Sequence, residues 1–338
     1  MMARPRKEEQ VHIIRTEHVM FFIDLFKGMD VDLLPLLREA RIPNTIVQQP
    51  NYSYLPESTL KNLLCHLGKR LSSGQFGIRV WEMASLEYVP YYLSKLPVNT
   101  TVHEALSKFG QLLEMESSNT KVYIKKAGGA WWFVREKTGA DEVWFQYAEL
   151  FSVTFMTQLV HQLTAGKFHP NEIGVQSSSV DAFKLLPQLQ NVVFYNERPV
   201  TAIKIPDSVM IQMTSFNVPK SEPSQPLPRL GQFAQSLKLA LKPYFTAGKL
   251  PLDMASEVIN IHSRTIQRRL KEEGTNYKAF SEQILFELIK TELTSSTTTI
   301  AMIAQQFGYS DSAHFTRAFK RYVGVTPSQY RSNVSMQK

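Results

Sequence analysis

Cysteine is almost absent from this 338-residue sequence, where Cys65 stands alone. A single cysteine excludes a disulfide framework and any zinc site built on CxxC pairs, and the chain reads as cytoplasmic. Long apolar runs are missing too. The uncharged run Leu150–Gly166 carries Ser, Thr, Gln and His and is short of a membrane span. The start, MMARPRKEEQ, is basic without the apolar stretch of a signal peptide, and it reads as a frayed tail. Catalytic signatures are equally scarce. No HExxH, GxSxG, P-loop or GxGxxG occurs, and Gly68-Lys69 lacks both the upstream glycine and the following Ser or Thr of a phosphate loop. His12, His18, His66, His103, His161 and His169 are scattered. Cys65 and His66 are neighbours on a leucine-rich segment, which does not make a nucleophile–base pair. The expectation is a chain that is not an enzyme and needs neither metal nor cofactor.

What is present is an ordinary globular composition, 43% hydrophobic and 20% charged, long enough for two domains. Its charge is unevenly placed. From Arg229 to Lys338 there are 15 Lys+Arg against 8 Asp+Glu, a net of +7 out of the formal +8. Such segregation fits a nucleic-acid-binding module joined to a nearly neutral domain. An architectural binder would spread its basic charge along the chain.

Taken in order, Thr16 to Phe26 and Leu33 to Ala40 have helical spacing, the second stopped by Pro43. Leu60, Leu63, Leu64, Leu67 and Leu71 mark an amphipathic helix ending near Ser72-Ser73-Gly74. Thr101-Val102-His103-Glu104 is a capping box ahead of another. Val122-Tyr123-Ile124 and Trp131 to Val134, split by Gly128-Gly129, read as a β-hairpin. A long helix follows over about 145–165, then strands at Val192 to Tyr195 and Val200 to Ile205. This gives an α+β domain with a mainly antiparallel sheet over 1–218. Pro219, Pro223, Pro226 and Pro228 make 219–229 a semi-rigid linker. An all-α domain occupies 230–338.

Inside that last domain the stretch Phe307 to Arg331 has a helix-turn-helix build. Gly308 closes one helix, and Ser310 and Asp311 can cap the next. Phe315, Phe319 and Tyr322 form one apolar face of it, expected to be buried. Arg317 lies about 200° round from Phe315 and Phe319 at about 100° per residue, so it points outward. The pattern occurs twice. Leu252, Ser256 and Ile259 correspond to Ile300, Ala304 and Phe307 at an offset of 48, and Ile266, Arg268 and Leu270 to Phe315, Arg317 and Phe319 at 49. A helix around Ile284 to Leu293 joins the copies, and Gly274 and Gly324 end them. In the first copy Arg264, Arg268 and Lys271 face outward with Gln267 at the edge. Arginine can bond guanine, and glutamine adenine, in bidentate fashion, whereas lysine more often meets phosphate.

On these residues the segment from about Leu230 to Arg331 resembles the DNA-binding domain of AraC/XylS-family transcription regulators. The resemblance rests on Gly308-Tyr309-Ser310, Phe315 to Arg321, Gly324, and Thr326-Pro327 through Tyr330-Arg331, with Arg264 to Gly274 similar to the family's first helix-turn-helix. Asn260 stands where that family usually has glycine, His262 where a serine cap is usual, and Leu285-Phe286 where arginine is frequent. Leu36 to Pro43, Phe76 to Arg79 and Val200 to Pro206 resemble, more weakly, the arabinose-binding-type effector domain of one subgroup. The resemblance implies two helix-turn-helix motifs joined by a long helix. It assigns base and backbone contacts to Ser312, His314, Thr316 and Arg317; Lys320 and Arg321 suit phosphates. It further implies promoter DNA, RNA polymerase and a small-molecule effector as partners, activation of transcription, and a homodimer. With no heptad zipper in the sequence, any dimer surface is expected in the first domain. Trp131, Trp132, Trp144, Tyr88, Tyr91, Tyr92 and Phe155 could line an effector pocket. Aromatic core packing is the simpler account of each, so no effector-binding residue is nominated.

Overall fold

A computed structural model describes residues 10–27, 32–47, 52–216, 232–246 and 248–335. The expected linker at 219–229 and residues 1–9 of the expected tail lie outside these. Contacts divide the chain into two units. One comprises 14–46 and 59–228; the other joins 229–338 to the short segments 1–13 and 47–58. Each is described on its own.

The chain begins with β1 (Ile13–Arg15), α1 (Thr16–Lys27), α2 (Leu33–Glu39), β2 (Tyr54–Pro56) and α3 (Glu57–Arg70). Ser72 then starts α4 (Ser73–Met83) with a capping box to Gln75, so the expected helix end is also a helix start. A π-helical turn over Ala84–Tyr88 leads into α5 (Val89–Leu93). There follow α6 (Val102–Glu114), the hairpin strands β3 (Lys121–Ala127) and β4 (Ala130–Glu136), and α7 (Phe145–Leu163). The Thr101–Glu104 capping box forms as expected. Gly128 and Gly129, at φ 58° and 73°, supply the two left-handed positions of a tight hairpin turn. The unit ends with β5 (Glu172–Gly174), α8 (Asp181–Lys184), β6 (Val193–Tyr195), β7 (Thr201–Ile205) and α9 (Asp207–Met210).

The five strands β3-β4-β7-β5-β6 form one sheet in that order, antiparallel except for the parallel pair β5–β6. Helix α6 lies close on β3. A Cβ on Gly110 would sit 2.2 Å from the Val122 carbonyl oxygen, so only glycine permits the approach. Helix α7 is buried along nearly its whole length. Its fully buried Glu149 accepts the Gln176 N–H at 2.7 Å and the Thr201 hydroxyl at 2.5 Å on one oxygen, and the Ser177 N–H at 2.9 Å and the Ser177 hydroxyl on the other. Every acceptor site of this carboxylate points at a donor, which makes its burial tolerable.

In the second unit α10 (Phe233–Leu241) packs against β2. The Ser58 hydroxyl donates to the Val258 carbonyl at 2.5 Å, and the Glu57 N–H to the His12 carbonyl at 3.0 Å. The helices α11 (Leu252–Ile259), α12 (Ser263–Glu272), α13 (Tyr277–Ser295), α14 (Ile300–Gln306), α15 (Ser312–Val323) and α16 (Pro327–Ser335) complete it. Leu285 and Phe286 of α13 are buried, as are Phe280, Ile284, Ile289 and Leu293. Arg331 reaches from α16 to the end of α13, donating from Nε to the Leu293 carbonyl at 2.9 Å and from Nη2 to the Thr298 carbonyl at 2.7 Å.

Candidate nucleic-acid interface

Two helix–turn–helix segments, α11–α12 and α14–α15, are built alike. After α11, Asn260 takes the left-handed conformation (φ 54°, ψ 40°), and the Ile261 N–H returns to the Ser256 carbonyl at 3.2 Å. After α14, Gly308 has φ 75°, and the Tyr309 N–H returns to the Ala304 carbonyl at 2.9 Å. Asparagine tolerates this conformation better than most residues, and the same closing bond forms in both turns. Ser256 adds a hydroxyl bond to the Ile261 carbonyl at 2.7 Å.

The second helices differ at their starts. Asp311 caps α15, accepting the His314 N–H at 2.6 Å. That bond, with the nearby Arg317 charge, holds the Asp311 carboxyl below its usual range. His262 stands at the start of α12 and makes no side-chain capping bond.

Burial sorts the faces. Ile266 and Leu270 in α12, and Phe315 and Phe319 in α15, are fully buried. Arg264, Gln267, Arg268 and Lys271 are exposed, as are Ser312, His314, Arg317, Lys320 and Arg321; Thr316 is half-buried. The structure therefore places these residues on two outward helix faces opposite two buried ones. Tyr322 departs from the expectation of a buried face. It is 43% exposed and stacks on Phe286 with ring centroids 4.3 Å apart, because it lies in the last turn, where Phe286 covers one ring face only.

Three contributors escaped sequence reasoning. Glu272 pairs with Arg268, Oε1 to Nη1 at 2.8 Å; the i, i+4 spacing was a usable signal. Glu273 accepts the Phe233 and Ala234 N–H groups at 2.6 and 2.9 Å and so caps α10. Arg331 braces the end of α13, for which the sequence carried no sign beyond the family motif.

The aromatic residues considered for a pocket mostly serve the core of the other unit. Tyr88, Tyr92 and Phe155 pack with Phe21, Phe109 and Phe151. Beside them the fully buried Glu116 accepts the Tyr92 hydroxyl at 2.5 Å and the Tyr91 hydroxyl at 3.3 Å, with His18 Nε2 at 3.1 Å and Lys95 Nζ at 3.3 Å; His18 Nδ1 meets the Tyr88 hydroxyl. A cavity of about 380 Å³ in this unit is lined by Val98, Asn99, Thr214, Ser215 and Phe216, none of them among those aromatics. His66 pairs with Glu39 at 3.2 Å, and burial pushes the Cys65 thiol up, away from the reactive thiolate. Among the described residues no helix is long and apolar enough to cross a membrane.

The helix-turn-helix domain family matches residues 255–333. Over 78 residues the chain is 36% identical to an uncharacterised HTH-type transcriptional regulator of Mycobacterium tuberculosis, covering 23% of this chain and 22% of that protein. Over 82 residues it is 29% identical to the HTH-type transcriptional activator CfaD of Escherichia coli, covering 24% of this chain and 31% of that one. The match thus spans less than a third of these curated relatives. Among solved structures, the transcriptional regulator CdpR from Pseudomonas aeruginosa covers 93% of this chain and 98% of its own at 15% identity and a TM-score of 0.37. Residues 255–333 thus match a helix-turn-helix domain, and over that stretch the chain is similar to HTH-type transcription regulators.

Proposed function

We propose that this protein is a sequence-specific DNA-binding transcription regulator that activates promoters in response to a small-molecule effector. The observation that carries the reading is the duplicated exposure of Arg268 and Arg317, each opposite a buried apolar pair, on helices held by the same turn geometry. In this reading α12 and α15 enter successive major grooves, about 34 Å apart along the duplex. Arg268, Arg317 and Gln267 read base edges, assisted by Ser312, His314 and Thr316. Arg264, Lys271, Lys320 and Arg321 meet phosphates, which sets the register and makes affinity salt-dependent. The nearly neutral unit senses the effector, carries the dimer surface, and shifts the population of binding-competent protein; RNA polymerase is the partner for activation. The activator named among the relatives supports that sign of regulation.

A genome-wide map of bound sites in cells, for the wild type and for the double variant R268A/R317A, tests the reading. The wild type is expected at discrete promoters, and the double variant to lose them, each arginine being worth about 1–3 kcal/mol of discrimination. Undiminished occupancy by the double variant would remove the assignment. The neighbouring genes would then name candidate effectors; equal DNA affinity and equal transcription with each of them would remove the effector part alone.

A further inference from the structure

The two helix–turn–helix segments repeat so closely that their differences carry information. Where α15 has Arg321, the matching position of α12 holds Glu272. Local stability gives no reason for this carboxylate. Glu272 is the last residue of α12, where the helix dipole favours a cation, and an exposed i, i+4 pair with the acid on the C-terminal side returns no more than that placement costs. Arg321 obeys the rule in the other copy.

Geometry supplies a reason. Glu272 Oε1 lies 2.8 Å from Arg268 Nη1, while its Oε2 faces Arg269 Nε at 3.9 Å. The Arg269 guanidinium in turn sits over the Phe233 ring, 5.4 Å from its centroid. Phe233 is fixed at the start of α10, where Glu273 holds its N–H at 2.6 Å. The carboxylate therefore pairs with two guanidinium groups, closely with Arg268 and more loosely with Arg269, which itself rests over a buried ring.

We propose that Glu272 is a positioning residue for base readout by Arg268. A guanidinium is a planar fork of five N–H groups, and one carboxylate fixes its plane while engaging one edge. The negative charge also disfavours the phosphate backbone as a resting place for Arg268, leaving guanine O6 and N7 as the better acceptors. Arg317, with Arg321 where the acid would be, binds with less dependence on sequence. The first segment thus discriminates more sharply than the second. This rests on the DNA-binding reading above.

Selecting sites from a random duplex library with full-length wild type, R268A, E272Q and E272K separates the two ideas. R268A should lose preference for one guanine, and E272Q should lose about tenfold at the same base pair. Binding of E272Q to random duplex should rise, and E272K should add a steeper salt dependence. Thermal melts should stay at the wild-type value, since Glu272 is exposed. Unchanged guanine preference in E272Q, or a loss at a base pair that R268A does not affect, overturns the positioning role and leaves DNA binding intact. A wild-type protein that selects no site overturns both.

Discussion

Glu116 shows how much one carboxylate can weigh when it has no solvent. Burial pushes its pKa up, but His18, Tyr92 and Lys95 act against that more strongly and hold it at about 2. A carboxyl depressed in the folded state contributes stability that is complete above its unfolded value and is lost as pH falls through the folded one. For Glu116 the window therefore runs from about pH 4.5 down to about pH 2. The E116Q variant is expected to be less stable than the wild type by on the order of 3 kcal/mol at neutral pH. Urea midpoints should show that gap shrinking below about pH 4.5 and nearly closing at about pH 2. A gap that stays constant across the range would mean lost packing, with no part for the ionised network. Nothing in the stretch Met115-Glu116-Ser117 announces this role. Its partners come from α1 and from the α5 region, far away in sequence, and only the fold brings them to one carboxylate.

At the scale of elements, what could be read was whatever is locally determined. Helices with one apolar stripe, the Gly128-Gly129 hairpin and the Thr101 capping box were legible because their signals lie within a few residues of each other. The missing pieces are of another kind. Helix α4, the π-helical turn and α5 carry Gly77 and Pro90, and their apolar residues are divided, Phe76, Val80, Ala84 and Val89 being buried while Ile78 and Leu86 are exposed. Strand β5 is three residues long and exists through its pairing with β6 and β7. In the candidate interface the outward faces of α12 and α15 were legible from periodicity, but the half-exposure of Tyr322 depends on which side Phe286 covers. The α6–β3 contact is a further case, since Gly110 lies within a helix where alanine would raise local propensity. The G110A variant should nonetheless be destabilised, by about 1–3 kcal/mol, because its Cβ would meet the backbone oxygen of Val122 at 2.2 Å. Thermal melting reads the sign directly; a rise in Tm would show that β3 can retreat at little cost.

For the molecule as a whole, sequence suggested consecutive modules, and the charge distribution encouraged that view. The unit that holds the helix–turn–helix segments nevertheless includes residues far upstream: β2 packs against α10, and Ser58 donates to the Val258 carbonyl. That carbonyl belongs to the last turn of α11, where helix geometry leaves acceptors without intrahelical donors. A residue from the first fifth of the chain thus helps to finish the first helix of the first segment, whose turn aims α12. Losing one such hydrogen bond costs about 1 kcal/mol, which is roughly a fivefold change in a local opening equilibrium. In full-length S58A, amide hydrogen exchange across α11 and the Asn260 turn should be faster by about that factor, with α14 and α15 unchanged. A fragment spanning 229–338 lacks Ser58 and β2 together and should show at least the same acceleration in α11. Equal protection of α11 in wild type, variant and fragment would mean that the C-terminal helices complete themselves and that the upstream segment is a passenger.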